Sequence, residues 1–132
     1  MKRGEMRTPA QKKGDIGEEA ALKRYIENGY TLVSRNYSKR CGEIDLIVKN
    51  DEYIVFAEVK TRSERAIARP VSAVSRKKIV NIVKTAMMYL SENDISLQPR
   101  FDVVEVISDG KNIIMLDITE NAFDGGEFGS LF

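Results

Sequence analysis

The amino-acid sequence predicts an α/β domain in which helices cover a single sheet, with elements in the order αβββαββ. Three observations lead to this class. Two segments repeat apolar residues at helical spacing, and five others are rich in β-branched and aromatic residues. Gly, Pro, Asn and Asp separate these segments, as expected for turns and loops.

The first helix and three strands follow in order from the start of the chain. Thr8-Pro9 suits a helix start, and helical spacing continues from Gln11 to Asn28 before Gly29 ends it. Three strands are then predicted, with Asn50-Asp51 as a tight turn between the last two: Tyr30 to Tyr37, Gly42 to Lys49 and Glu52 to Arg62. The third strand is apolar on both faces, so both faces of the sheet are expected to be covered.

A second helix and a hairpin complete the order. After a loop that contains Pro70, Ser72 or Ser75 is placed to cap a helix whose apolar stripe is expected to pack on the sheet. The stripe consists of Ile79, Ile82, Val83, Ala86, Met87 and Leu90. Two further strands, Phe101 to Ile107 and Asn112 to Ile118, flank the hairpin-turn sequence Asp109-Gly110.

At 132 residues, with 42% apolar and 31% charged side chains, the chain has the size and composition of one globular domain, residues 1–132. Its ends, residues 1–8 and 124–132, are expected to be mobile. No apolar run approaches the roughly 18 residues needed to cross a bilayer, and the first residues lack the apolar core of a signal peptide. A cytoplasmic protein without a membrane partner is therefore expected.

The absence of histidine limits the chemistry of any metal site. The one cysteine, Cys41, cannot form a thiolate zinc cluster, and no imidazole is present as a ligand or a general base. A metal would therefore be held by oxygen atoms, which favours Mg²⁺ or Mn²⁺.

Carboxylates stand among aliphatic residues in the second and third strands. A two-residue turn between these strands places Asp45 opposite Phe56, so that Asp45 and Glu58 are diagonal neighbours on one face with Glu43 and Lys60. Two carboxylates so placed are expected to bind a cation between them. The alternative is a Glu58–Lys60 ion pair at the rim of the sheet, with Glu43 exposed.

The first helix supplies a third acid. Glu18 lies on the apolar stripe and faces inward, whereas Glu19 is expected to pair with Lys23 in solvent. Gly14, one turn before Glu18, leaves room for a close neighbour. Because burial of an unpaired carboxylate costs several kcal/mol, a divalent metal, Lys60 and water are expected to compensate these acids.

The net charge of +1 conceals a basic region from residue 60 to 78 and an acidic region from residue 101 onward. The basic side chains beyond Lys60 that are predicted to bind a nucleic-acid backbone are Arg62, Arg65, Arg69, Arg76, Lys77 and Lys78. For Lys78 a surface position is the alternative, and a solvated run of charge is the alternative for the group.

Asp45, twelve residues and then Glu58-Val59-Lys60 resemble the catalytic signature of the PD-(D/E)xK nuclease superfamily. Within it, the motifs are similar to those of the YraN family, which resembles the archaeal Holliday junction resolvases. They are Gly14-x-x-x-Glu18, Gly29-Tyr30, Arg35-Asn36, GEIDLI, FAEVKTR, Lys78 and Arg100-Phe101-Asp102-Val103. The resemblance implies a restriction-endonuclease-like αβββαβ core with an additional C-terminal strand and helices flanking a mixed central sheet.

The resemblance also implies roles at the site. Asp45 and Glu58 would be metal ligands, helped by the Val59 carbonyl and Glu18, and Lys60 would be the catalytic lysine. A Mg²⁺- or Mn²⁺-dependent endonuclease acting on DNA is expected, with branched or junction DNA as a substrate and a homodimer as the assembly. Glu43 is expected beside these residues or facing the turn.

Two other function classes remain open from the residues themselves. A nucleic-acid-binding module with a nuclease fold and no turnover would bind without metal and with steep salt dependence. A protein-interaction domain would use the acids only to pair with arginines.

Overall fold

The computed structural model describes residues 9–64 and 74–124, with side chains from residue 14 onward. Arg65, Arg69, Pro70 and Ser72 lie outside the described residues, as do residues 1–8 and the C-terminal residues from 125. The expectations about the mobile ends and about these two arginines therefore fall on segments that the structure does not describe, apart from Asp124, which is exposed.

Two helices and five strands form in the predicted order. The elements are α1 (Pro9–Glu27), β1 (Thr31–Lys39), β2 (Gly42–Lys49), β3 (Tyr53–Ser63), α2 (Arg76–Glu92), β4 (Gln98–Ser108) and β5 (Ile113–Phe123). Ser75 caps α2, because its side chain accepts a hydrogen bond from the backbone N–H of Lys78. The prediction of an α/β fold with a mixed sheet is confirmed.

The sheet has the spatial order β1-β2-β3-β4-β5, and only the central β3–β4 pair is parallel. The other three pairs are antiparallel. Helix α2 makes the crossover between β3 and β4, as parallel neighbours require. The strand that carries Glu58 and Lys60 therefore lies in the middle of the sheet.

The turn between β2 and β3 lies one residue later in the chain than predicted. The backbone N–H of Asn50 bonds to the carbonyl of Tyr53, so that Asp51 and Glu52 form the turn. The Asn50 side chain holds it by accepting hydrogen bonds from the backbone N–H groups of Glu52 and Tyr53. Lys49 consequently pairs with Ile54.

Two apolar cores cover the two faces of the sheet, as predicted from the composition of β3. On one face α1 packs through Ala21, Leu22 and Tyr25. On the other face α2 packs through Ile82, Val83, Ala86 and Tyr89, and Phe56 and Phe101 stack beneath it. None of the helices in the described ranges has the length and apolarity to cross a bilayer.

A buried polar cluster fixes α1 on the sheet. The Asp102 carboxylate, which is fully buried, accepts hydrogen bonds from the Tyr25 hydroxyl at 2.8 Å and from Arg100 Nε and Nη2, both at 2.9 Å. The backbone N–H of Asn121 in β5 donates a further bond at 3.0 Å. Because Tyr25 lies two helical turns after Glu18 on the same stripe, this cluster also sets the position of Glu18.

Candidate active site

The strands β2 and β3 separate at the point where the acids are found. Their ladder ends at the pair Leu46 and Ala57, one position before Asp45 would face Glu58. In place of a ladder bond, Asp45 Oδ2 accepts a hydrogen bond from the backbone N–H of Val59 at 2.8 Å. The prediction that Asp45 lies opposite Phe56 was wrong by two residues, because the turn lies one residue later. An even shift leaves the acids on the predicted face.

An acidic cavity of about 310 Å³ opens at this separation. Its lining residues are Gly42, Glu43, Asp45, Glu58, Lys78, Asn81 and Ile82. The Glu58 carboxylate is buried, with 7% of its side chain exposed, and Lys78 Nζ lies 3.0 Å from Glu58 Oε2. Lys78 thus provides the cation that faces Glu58 in this structure, from the first turn of α2.

Burial, followed by the nearby charge of Glu58, raises the pKa of the Asp45 carboxyl to about 8. The hydrogen bond from Val59 opposes both effects without cancelling them. At neutral pH Asp45 therefore holds a proton unless more positive charge enters the cavity. A carboxyl group in this condition is a candidate ligand for an added cation.

Glu18 lies close enough for its charge to add to the raised pKa of Asp45. Its own carboxylate is 3.4 Å from Arg35 Nε and interacts with the Asn36 side chain. Burial raises the pKa of Glu18, while these two neighbours oppose the change. The expected Glu19–Lys23 pair is replaced by a 2.7 Å ion pair between Glu19 and Arg35, because β1 brings a guanidinium within reach of both Glu18 and Glu19.

The other predicted site residues lie around the cavity. Lys60 is partly buried on β3, two residues after Glu58, and is not among the lining residues. Glu43 lines the cavity at its exposed edge and accepts a hydrogen bond from Ser38 Oγ. Val59 contributes its N–H to Asp45, a contact that the sequence did not predict.

The predicted basic residues divide into two groups. Arg62 is half-buried on β3, with Nη1 3.8 Å from Glu105 Oε1 of β4. Arg76 and Lys77 are exposed in the first turn of α2, beside Lys78. The structure therefore places three consecutive basic residues at the start of one helix, next to the acidic cavity.

A close helix-to-strand contact was predicted at the wrong glycine. A side-chain carbon added at Gly14 would meet nothing within 4 Å, whereas one added at Gly17 would overlap Thr61 Oγ1. Gly17 thus allows α1 to lie directly against β3 beside Glu18. Helical spacing could have revealed this, because Gly17 lies on the same side as Ala21, which is fully buried.

Two protein carboxylates are a donor set that suits Mg²⁺, which usually keeps several waters and binds one or two carboxylates. Asp45 and Glu58 offer such a pair at one cavity. Across residues 9–64 and 74–124, no three Asp, Glu or Cys side chains gather closely enough to hold a metal together. The donor set therefore fits a partly hydrated Mg²⁺ or Mn²⁺ better than a fully protein-bound ion.

Fold and cavity together define a mixed α/β domain with a paired-carboxylate site on its central strands. The chain belongs to the uncharacterised protein family UPF0102, whose model matches residues 17–106. The YraN family named from the motifs is thereby confirmed.

Relatives from distant bacteria match most of the chain. A UPF0102 protein of Clostridium acetobutylicum is 42% identical over 115 residues, which are 86% of this chain and 94% of the relative. One from Persephonella marina is 35% identical over 85% of this chain and 93% of its own length. One from Legionella pneumophila is 36% identical over 88% of this chain and 98% of its own length. Each of these relatives bears the family name.

Proposed function

We propose that the protein is a metal-dependent endonuclease of the PD-(D/E)xK superfamily that hydrolyses DNA phosphodiester bonds, with branched DNA as its substrate. The observation that carries the proposal is the pair of carboxylates, Asp45 and Glu58, on the wall of one cavity beside a basic helix start. Such a pair is unfavourable unless a cation joins it.

The first turn of α2 supports a polyanionic partner. Positive side chains are unfavourable at a helix N-terminus, by about 0.3–1 kcal/mol each, because the helix dipole is positive there. Arg76, Lys77 and Lys78 nevertheless occupy this turn, which contains no acid. An unfavourable arrangement of positive side chains at the positive end of a helix dipole is typical of functional positions, and DNA phosphates would compensate its charge.

In this proposal, residues that line the cavity and residues that surround it have different roles in hydrolysis. Asp45 and Glu58 would hold the metal, and Glu18 with Arg35 would shape the side of the site next to α1. When bound, Mg²⁺ or Mn²⁺ polarises the scissile phosphate and lowers the pKa of water. Lys60 orients the attacking water or stabilises the negative charge that develops on the phosphate. With no histidine in the chain, carboxylates and lysine are the groups that hold protons at this site.

The test is cleavage of four-way junction, flap, single-stranded and duplex DNA with Mn²⁺ or Mg²⁺. Wild type is compared with Glu58→Gln and Lys60→Met, and with Glu52→Gln as a control in the exposed β2–β3 turn. Loss of cleavage in both site variants, with matching circular dichroism and an active control, supports the proposal. Cleavage that survives in both site variants refutes it. Because a junction has two cleavage positions, preference for it further predicts a homodimer, measurable by sedimentation.

A second candidate is a nucleic-acid-binding module without turnover. The 3.0 Å Lys78–Glu58 ion pair favours it, because that pair already gives Glu58, one of the two proposed metal ligands, a positive partner. This candidate predicts metal-independent DNA binding whose affinity falls steeply with salt, and no cleavage product.

A further inference from the structure

Lys78 connects the basic helix start to the acidic cavity. Its side chain is 53% exposed, yet Nζ lies 3.0 Å from Glu58 Oε2, whose side chain is 7% exposed. The pKa of Lys78 is raised, chiefly by the hydrogen bond to Glu58 and further by the charges of Glu58, Asp45 and Glu43. The ammonium group therefore lies where the negative charges of Glu58 and Glu43 add, and Asp45 contributes as well when it is ionised.

We propose that Lys78 is the built-in counter-ion of the metal-free site and competes with a divalent cation for the Glu58 carboxylate. This inference rests on the cation site of the proposed function and adds a regulatory residue to it. A carboxylate that faces an ammonium group must give up that contact, or share it against repulsion, when a divalent ion binds. In either case Lys78 lowers the affinity of the site for metal.

The geometry allows Lys78 to leave. More than half of its side chain is in solvent, and its backbone is held separately, by the Ser75 cap at 3.1 Å. Displacement of Nζ therefore needs no change in the helix. Once displaced, the ammonium remains beside Arg76 and Lys77, where a phosphate would be its next partner. Metal binding and release of a phosphate-binding lysine thus become one event.

The expected size follows from the charge contact. Loss of one close charge contact changes affinity only modestly when the ammonium group is half exposed, as it is in Lys78. A tenfold change corresponds to about 1.4 kcal/mol. Lys78→Met is therefore expected to bind Mn²⁺ about tenfold more tightly than wild type.

The test is calorimetric titration of the full chain with Mn²⁺ at fixed ionic strength and without DNA. Lys84→Met is the matched control, since Lys84 is an exposed lysine of the same helix and its loss changes the net charge equally. Asp45→Asn identifies the site, because Mn²⁺ binding at the cavity should disappear in it. Lys78→Gln repeats the test with a polar side chain in case the methionine alters packing.

Tighter binding in both Lys78 variants, with Lys84→Met equal to wild type, supports the counter-ion role. Equal or weaker binding in the Lys78 variants overturns it and leaves the cation site in place. If neither wild type nor any variant binds Mn²⁺, both the counter-ion and the cation site are refuted. Tighter binding without cleavage of any DNA upholds the counter-ion role and refutes the nuclease, so the two failures are distinguishable.

Discussion

Asp45→Asn should make the metal-free protein more stable while removing its response to metal. Asparagine keeps an oxygen that can accept the Val59 N–H bond, which is 2.8 Å long in the wild type. It removes the acid whose pKa burial and Glu58 raise to about 8. The same substitution would be destabilising if β3 needed the ionised carboxylate, because a charged acceptor makes a stronger hydrogen bond than an amide oxygen.

The magnitude follows from proton linkage. An unfolded Asp ionises near pH 3.9, so at pH 7 the folded chain retains a proton that the unfolded chain has released. The contribution of Asp45 to the free energy of unfolding therefore falls with rising pH between about 4 and about 8, by at most about 1.4 kcal/mol per pH unit. Below and above this window the contribution does not change with pH. At pH 7 the stabilisation by Asp45→Asn is at most about 4 kcal/mol. Because Lys78 and Glu58 can adjust their contacts and protonation to the charge of Asp45, we expect roughly 1–3 kcal/mol.

Urea denaturation with a chelator measures this gain. At pH 7 the midpoint of Asp45→Asn should exceed that of wild type, and the difference should shrink towards pH 4, where both chains are neutral at this position. Added Mg²⁺ or Mn²⁺ should raise the wild-type midpoint and leave that of the variant unchanged. A variant less stable than wild type at pH 7 in chelator would show that Asp45 is a structural residue and refute the reasoning.

Two further predictions concern the supports of the site, and urea midpoints measure both. Asp102→Ala should cost about 3–5 kcal/mol, because it removes the buried carboxylate that Arg100 binds through Nε and Nη2 and leaves the more distant, exposed Glu120 as its acidic partner. Tyr25→Phe removes one hydrogen bond and should cost about 1 kcal/mol. Equal costs of the two substitutions would contradict a charged cluster. Gly17→Ala should cost about 1–3 kcal/mol, because the added methyl group would overlap Thr61. Gly14→Ala should stabilise α1 by about 0.5–1 kcal/mol. An unchanged stability of Gly17→Ala would mean that α1 can shift away from β3 without cost.

The sequence predicted the elements well because their signals are local. Helical spacing, the Ser75 cap and the Asp109-Gly110 turn each depend on a few neighbouring residues. The β2–β3 turn was misplaced because Asn50 can occupy either of two turn positions, and its side-chain bonds to Glu52 and Tyr53 decide between them. Sequence alone does not weigh these alternatives.

The site was predicted in part for the same reason. Alternation along the strands placed Asp45 and Glu58 on one face, and an error of two residues in register could not change that. The partners of the acids were harder to predict, because they come from elements that are distant in the sequence. The Lys78–Glu58 and Arg35–Glu19 pairs depend on how each helix packs on the sheet, which no local pattern encodes.

The parallel pairing of β3 with β4 places Glu58 on a central strand, whereas Lys78 lies at a helix end, so the two residues are expected to move on different timescales. Amide hydrogens of a central strand covered on both faces exchange only in rare, nearly global opening events, whereas a helix end and its exposed side chains rearrange within nanoseconds to microseconds. We therefore expect the backbone around Glu58, on a central strand, to open more slowly than the exposed side chain of Lys78 rearranges. The Glu58 carboxylate should therefore stay in place while a ligand is bound, whereas the Lys78 ammonium group should leave and re-form its contact many times in that period.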